Sequence, residues 1–101
     1  MNVNNKITSV HFKTDIKLEE FINEKLSKLN KKYDNIIGYE TVLKLENTDK
    51  PENKTVDIRV IIRGNDLFAS KTEKSFEEAT DKALDALKKQ LTKHKDKIKQ
   101  K

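Results

Sequence analysis

Cysteine is absent from the 101 residues, and with it go disulfides, thiolate nucleophiles and cysteine-ligated metals. Tryptophan is absent too, and the only glycines are Gly38 and Gly64, so no glycine-rich phosphate loop can be assembled. No serine nucleophile motif occurs. There is no apolar run of about eighteen residues that could cross a bilayer as a helix. The first five residues, Met1 to Asn5, lack the charged and then apolar order of a secretory signal, so a cytoplasmic location is expected. His11 and His94 have no metal-ligand spacing with each other, and His11, beside Phe12 at the end of a strand, reads as a structural histidine. These absences leave no residues on which to place catalysis: neither an enzyme activity nor a cofactor nor a metal is expected.

What the chain has in excess is charge. Charged residues make up 39% of it, against roughly 25% in an average soluble protein. Only 34% is hydrophobic, so a single domain over residues 1–101 with a thin core is expected. The formal net charge of +5 is unevenly placed. Residues 1–85 hold 15 Lys/Arg against 16 Asp/Glu, whereas the last sixteen hold seven lysines against Asp96 alone. Charge concentrated in this way is a local attractor for a polyanion.

The hydrophobic pattern divides the chain into six elements. Val3 to Val10 reads as a strand. Leu18, Phe21, Ile22, Leu26, Leu29 and Tyr33 recur at helical intervals, which predicts an amphipathic helix over 15–32 capped by Thr14 or Asp15. Asn35 to Gly38 reads as the turn out of it. Tyr39 to Glu46 alternates with Tyr39, Thr41, Leu43 and Leu45 on the buried side, and 47–53, with Pro51, reads as an exposed hairpin loop. Val56, Ile58, Val60 and Ile62 continue the alternation, and Gly64, Asn65 and Asp66 supply a tight turn. Leu67 to Glu73 is a fourth strand in which period alone leaves open whether Leu67 and Ala69 or Phe68 and Ser70 face inward. Ser75 to Glu78 has the form of a capping box. It opens a second helix, about 75–97, with an apolar stripe of Phe76, Ala79, Thr80, Ala83, Leu84, Leu87, Leu91 and Ile98 and a basic tail to 101. The fold class is therefore α+β, order β-α-β-β-β-α, with a four-stranded sheet and two helices packed on one face. The other face is expected to be bare, with Lys44, Arg59 and Arg63 among its residues.

At 1.5 Å per residue the second helix would be roughly 34 Å long against about 23 Å for a seven-residue strand, so its last turns are expected to overhang the sheet. Lys82, Lys89, Lys93 and Lys97 fall in one arc of this helix and Lys88, Lys95 and Lys99 in another, flanking the stripe, with His94 on its margin. A few lysines at a helix C-terminus only complement the helix dipole. Seven in sixteen residues repel one another, which favours an anionic partner. Beyond Leu91 the stretch has only Ile98 as a large apolar group, so nucleic acid fits better than a membrane surface. The acids mostly stand at helical spacing from lysines, as in Glu24 with Lys28 and Asp85 with Lys89, and read as surface pairs.

Three segments, Asp66-Leu67-Phe68-Ala69-Ser70, Ser75 to Ala83 and above all Gln90-Leu91-Thr92-Lys93-His94-Lys95-Asp96-Lys97, resemble the ribosome hibernation promoting factor and ribosome-associated inhibitor family. Tyr33-Asp34-Asn35-Ile36 and the spacing of the six elements extend the resemblance over nearly the whole chain. It implies a stress or stationary-phase factor that binds the small (30S) ribosomal subunit and its 16S rRNA in the mRNA/tRNA channel, inhibits translation sterically and preserves idle ribosomes. On the motif match, Lys89, Lys93, Lys95 and Lys97 would contact rRNA phosphates. Lys82 and Lys88 join them on the charge argument, His94 as a group free to stack or meet phosphate, and Arg59 and Arg63 as weaker candidates on the bare sheet face. The chain looks like the short form, without the dimerising second domain of long members. Its basic tail favours the promoting-factor branch, and a separate ribosome-dimerising factor is a further partner of some short forms. Two readings stand against this one: a general double-stranded-RNA-binding module, whose lysines usually cluster at the N-terminus of the second helix, and a helical module for an acidic protein.

Overall fold

A computed structural model describes residues 5–33 and 36–99, the side chains of 94–99 excepted. The elements follow in the expected order: β1 (Asn5–Val10), α1 (Ile16–Lys32), β2 (Ile36–Leu45), β3 (Lys54–Ile62), β4 (Asn65–Glu73) and α2 (Phe76–Lys99). The strands lie side by side as β1-β2-β3-β4 in one mixed sheet, β1 parallel to β2 and the other neighbours antiparallel. Both helices contribute to one core on the same face of the sheet, so the fold class is the α+β arrangement expected from the sequence.

Each helix begins where a side-chain oxygen is available for its free N–H groups. Of the two cap candidates for α1, Asp15 takes the role: its carboxylate accepts from the Leu18 N–H at 2.7 Å. Ser75 Oγ accepts from the Glu78 N–H at 3.1 Å, while the Glu78 carboxylate turns toward Lys82, 3.8 Å away. The first half of the capping box is thus formed, and its glutamate serves an ion pair instead.

The sheet resolves the undecided alternation of β4. Leu67 and Ala69 pair with Val60 and Ile58 and are buried with them, whereas Phe68 is 51% exposed on the open face opposite Arg59. Tyr39, Thr41 and Leu43 are buried on the helix side of β2, as expected, while Leu45 is only half-buried. The segment expected to turn before β2 departs from its reading: Ile36 to Gly38 already belong to the strand, with a register irregularity between Ile36 and Gly38, and Asn35 lies outside the described residues. Two consecutive β-branched residues favour the strand, and a glycine without a side chain accommodates the bulge. The hairpin after β3 is also tighter than expected. Ile62 pairs with Asn65, so only Arg63 and Gly64 form the turn, and Gly64 takes the positive φ of 81°. A non-glycine residue, His11, adopts φ 70° in the bend after β1, a region in which histidine is enriched among side-chain-bearing residues. Beside it Phe12 stacks on Phe76 with ring centroids 4.7 Å apart, joining the starts of the two helices.

Among the described side chains of α2 the buried ones are Ala79, Thr80, Ala83, Leu84, Leu87 and Leu91, and Ile98 of the expected stripe lies outside them. The alanines let the helix approach the sheet closely, and the leucines fill the space between α1, β3 and β4. The Thr80 hydroxyl, fully buried, donates to the Phe76 carbonyl one turn back at 2.7 Å. The Tyr39 hydroxyl, buried under α1, faces two acceptors, the Leu26 carbonyl at 3.4 Å and Asn30 Oδ1 at 3.3 Å. Burial holds its proton far more tightly than a free phenol holds it.

Two stability predictions follow from these contacts. Ser75→Ala removes the α2 cap and is expected to cost about 1 kcal/mol, lowering the thermal midpoint by about 4 to 8 °C in a domain of this size. Because Tyr39 keeps its proton when folded, the unfolded chain releases that proton first once pH passes about 10, and stability is lost from there upward. Urea unfolding across pH 8 to 11 is expected to show a smaller alkaline loss for Tyr39→Phe than for the unaltered chain.

Candidate functional site

Strand direction decides where the lysines meet. With β1 and β2 parallel and β3 and β4 each reversing, β1, β2 and β4 all run the same way. Each helix returns along the sheet after a strand of that direction, so α1 and α2 run parallel to each other. Two contacts mark this: Lys25 Nζ lies 3.4 Å from the Asp81 carboxylate, and two turns further along the Tyr33 hydroxyl lies 3.3 Å from Thr92 Oγ1. Both helix C-termini therefore reach the same end of the molecule, with the Arg63–Gly64 turn between β3 and β4. The opposite end holds both helix N-termini and the loop between β2 and β3.

Charge is divided unequally between these ends. The N-terminal end mixes signs, with Asp15, Glu19, Glu20, Glu77, Glu78, Asp49 and Glu52 standing among Lys13, Lys17, Lys50 and Lys74. The C-terminal end carries Lys28, Lys31 and Lys32 from α1, Lys88, Lys89 and Lys93 from α2, and Arg63. Lys88, Lys89 and Lys93 are thus joined in space by lysines from a segment of the sequence whose net charge is close to zero.

The sequence-derived candidates separate into groups. Lys88, Lys89 and Lys93 are exposed beside the buried Leu84, Leu87 and Leu91, and among the described residues no carboxylate pairs with them. Lys82 stands apart from them: its ammonium lies 3.2 Å from Glu73 and 3.8 Å from Glu78, tying the start of α2 to the end of β4. For His94, Lys95 and Lys97 the helix backbone continues through their positions, and their side chains lie outside those described. Arg59 is on the open sheet face, 3.9 Å from Glu40, while Arg63 is exposed in the turn. Lys44, on the same open face, lies 3.0 Å from Asp57, and that hydrogen bond and charge raise its pKa. Asp57 also accepts from Ser70 Oγ, so the open face is closed by its own cross-strand pairs along much of its length.

α2 outruns the sheet by less than the sequence suggested. Gln90 Nε2 donates to the Phe68 carbonyl at 2.9 Å, fixing the helix against the edge of β4. Nine residues of α2 follow Gln90, about 14 Å of helix, while about 10 Å of β4 remains between Phe68 and Asn65. The overhang is shorter than one turn because β4 has nine residues where seven were expected.

Sequence reasoning missed the contribution of α1. Lys25, Lys28 and Lys32 face Asp81, Asp85 and Lys88 across an open groove of about 470 Å³ between the helices. Their three- and four-residue spacing placed them on one side of α1, but nothing in it told which partner that side would meet. Asp85, whose spacing suggested a pair with Lys89, instead lines this groove, whereas Glu24 and Lys28 do approach to 4.0 Å. Among the described residues no group of His, Asp or Glu is disposed to hold a metal, and no helix is long and apolar enough to cross a membrane. What the arrangement can do chemically is bind anions: exposed ammonium groups without carboxylate partners, converging from two helices and a turn.

Comparison with known proteins agrees with this architecture. Residues 5–99 match the family described as Sigma 54 modulation protein / S30EA ribosomal protein. The chain is 37% identical over 83 residues to the ribosome hibernation promoting factor of Escherichia coli (strain K12), covering 82% of this chain and 83% of that protein. It is 35% identical over 83 residues to the protein of the same name in Klebsiella oxytoca, with the same shares covered. In three dimensions it is similar to a ribosomal subunit interface protein from Coxiella burnetii, with a TM-score of 0.81 at 20% identity, covering 92% of this chain and 98% of the other. The N-terminal domain of Protein Y from Thermus thermophilus superposes with a TM-score of 0.77 at 19% identity, covering 93% and 99%. With a family match spanning the whole described fold and relatives of this identity, the chain belongs to the Sigma 54 modulation protein / S30EA ribosomal protein family.

Proposed function

We propose that this chain is a cytoplasmic, non-catalytic ribosome hibernation factor, which binds the small ribosomal subunit through the lysine-bearing second half of α2 and holds translation off while ribosomes are idle. The name of its curated relatives supports the hibernation role. The observation that carries the binding site is the convergence of Lys88, Lys89 and Lys93, none paired with a carboxylate among the described residues, at the end of the fold where the other helix also presents lysines. Phosphate groups of 16S rRNA are the anions they would meet, and Lys95, Lys97 and His94 continue the surface in sequence. Occupation of the mRNA/tRNA channel would make the inhibition steric, needing no cofactor and no chemical step.

The same distribution argues against a general double-stranded-RNA module of the usual kind, because here the N-terminus of the second helix is acidic, with Glu77, Glu78 and Asp81. Lys82 is a weaker contact than its position in the arc suggests, since two carboxylates already neutralise it. Arg59 is held near Glu40 on a face pointing away from the helices, and Arg63 is the better placed of the two arginines.

The test is co-sedimentation with purified small and large ribosomal subunits across a salt series. Saturable binding to the small subunit that weakens with salt and is blocked by tRNA already in the channel is the expected result. Equal binding to both subunits and to arbitrary duplex RNA would overturn the reading. Lys89→Glu with Lys93→Glu lies off the buried stripe, so the fold is expected to survive while small-subunit affinity drops about tenfold or more and the logarithmic salt slope becomes shallower by about 2.

A further inference from the structure

Of the four phenylalanines and two tyrosines of the chain, all but Phe68 are buried in the core or packed against it. Phe68 instead stands 51% exposed on the open face of the sheet. Strand register fixes its surroundings. Arg59 lies directly opposite on β3, the half-buried Ile61 is a diagonal neighbour, and Asp66 stands two residues along β4 on the same face, about 7 Å away. The Arg59 guanidinium approaches Glu40 only to 3.9 Å, with both side chains about half exposed, a pair that solvent screens heavily. Beneath the ring the backbone is held firmly: β4 pairs with β3 along its whole length, and the Phe68 carbonyl accepts from Gln90 Nε2 at 2.9 Å. That bond also places the ring relative to α2. Gln90 follows Lys89 directly and precedes Lys93 by three residues, and both lysines are exposed. The ring is therefore reached from these lysines by passing around the edge of β4.

We infer that Phe68 is a stacking platform for one unpaired RNA base, brought around the edge of β4 by a strand whose phosphates lie on Lys89 and Lys93. The inference rests on the ribosome-binding reading above and adds a contact of another kind, to a base and not to phosphate, on the face of the sheet away from the helices. Every base has a flat π-face that stacks on an aromatic ring whatever its identity, and a guanidinium plane beside the ring, as at Arg59, extends the surface on offer. Asp66 repels phosphate from this spot, so the backbone stays with the lysines and the base is the part that reaches the ring. The size of the site also selects its occupant. One ring and one aliphatic neighbour inside a charged rim fall far short of a standard protein interface, whereas a single base covers them. Bases within a duplex are already stacked and paired, so the strand must be single there.

The experiment uses variants of the full chain, each checked for helix content and thermal midpoint by circular dichroism, in small-subunit co-sedimentation across a salt series. Phe68→Leu, which keeps an apolar side chain but no π-face, is expected to weaken binding about fivefold or more. The logarithmic salt slope is expected to stay unchanged, because stacking releases no counterion. Phe68→Trp is expected to bind at least as well as the unaltered chain, and it introduces the sole tryptophan of the molecule. Its emission is expected to be quenched by a saturating unstructured single-stranded oligoribonucleotide and little by a duplex of the same length. Quenching that is absent, or equal for the two forms, overturns the inference. The reference is Lys89→Glu with Lys93→Glu. If that pair loses small-subunit binding while Phe68→Leu binds within about twofold of the unaltered chain, no base stacks on Phe68 and the inference is overturned with the ribosome-binding reading intact. If neither loses binding, the ribosome-binding reading has failed as well.

Discussion

The direction of β1 is the constraint on which the rest of this molecule depends. Because β1 pairs parallel with β2 and β4 returns to the same direction after β3, both helices must run back along the sheet the same way. An antiparallel β1 would have sent α1 the opposite way and separated its last turn from that of α2. The parallel pair instead brings two lysine-rich helix ends and the Arg63–Gly64 turn together. It leaves the carboxylates of both helix N-termini at the other end.

The resulting charge polarity is partly self-stabilising. Carboxylates beside helix N-termini and ammonium groups beside C-termini each lower the energy of the helix dipole by a few tenths of a kcal/mol. That effect is satisfied by one or two lysines per helix, and the observed number exceeds it. The surplus has a cost in mutual repulsion that an anion would relieve. Within the fold, ion pairs fall where they tie elements together: Lys82 joins α2 to β4, Lys25 joins α1 to α2, and Lys44 joins β2 to β3. Lys32, Lys88, Lys89 and Lys93 near the C-terminal ends of the helices are not used in this way.

A thin core suffices because α2 presents alanines to the sheet. Ala79 and Ala83 are fully buried and let the helix axis come close, so Leu84, Leu87 and Leu91 reach residues of both β3 and α1. The same packing aims the charged positions. Once Leu87 and Leu91 face inward, Lys88 is turned to the inter-helix groove and Lys89 and Lys93 to the outer side. The open face of the sheet lacks such convergence, for Lys44 and Arg59 each approach a carboxylate on a neighbouring strand and Phe68 stands among charged residues.

Local sequence determined a good deal of this protein. The helical recurrence from Leu18 to Tyr33, the cap at Ser75, the alternation of Val56 to Ile62 and the basic segment after Leu87 are short-range patterns, each a consequence of backbone period or of a single side chain's bonding, and each was legible without coordinates. The bulge at Ile36 to Gly38, the inward turn of Leu67 and Ala69, and the length of β4 were not, because strand register is set by the partner strand and not by the residues alone. For the site, the lysines of α2 were visible as a cluster in sequence. The commitment of Lys82 to Glu73, the turning of Asp85 away from Lys89 and the arrival of Lys28 and Lys32 opposite Lys88 were decided only by tertiary structure. They depend on which helix lies beside which strand, a long-range relation that no local period encodes.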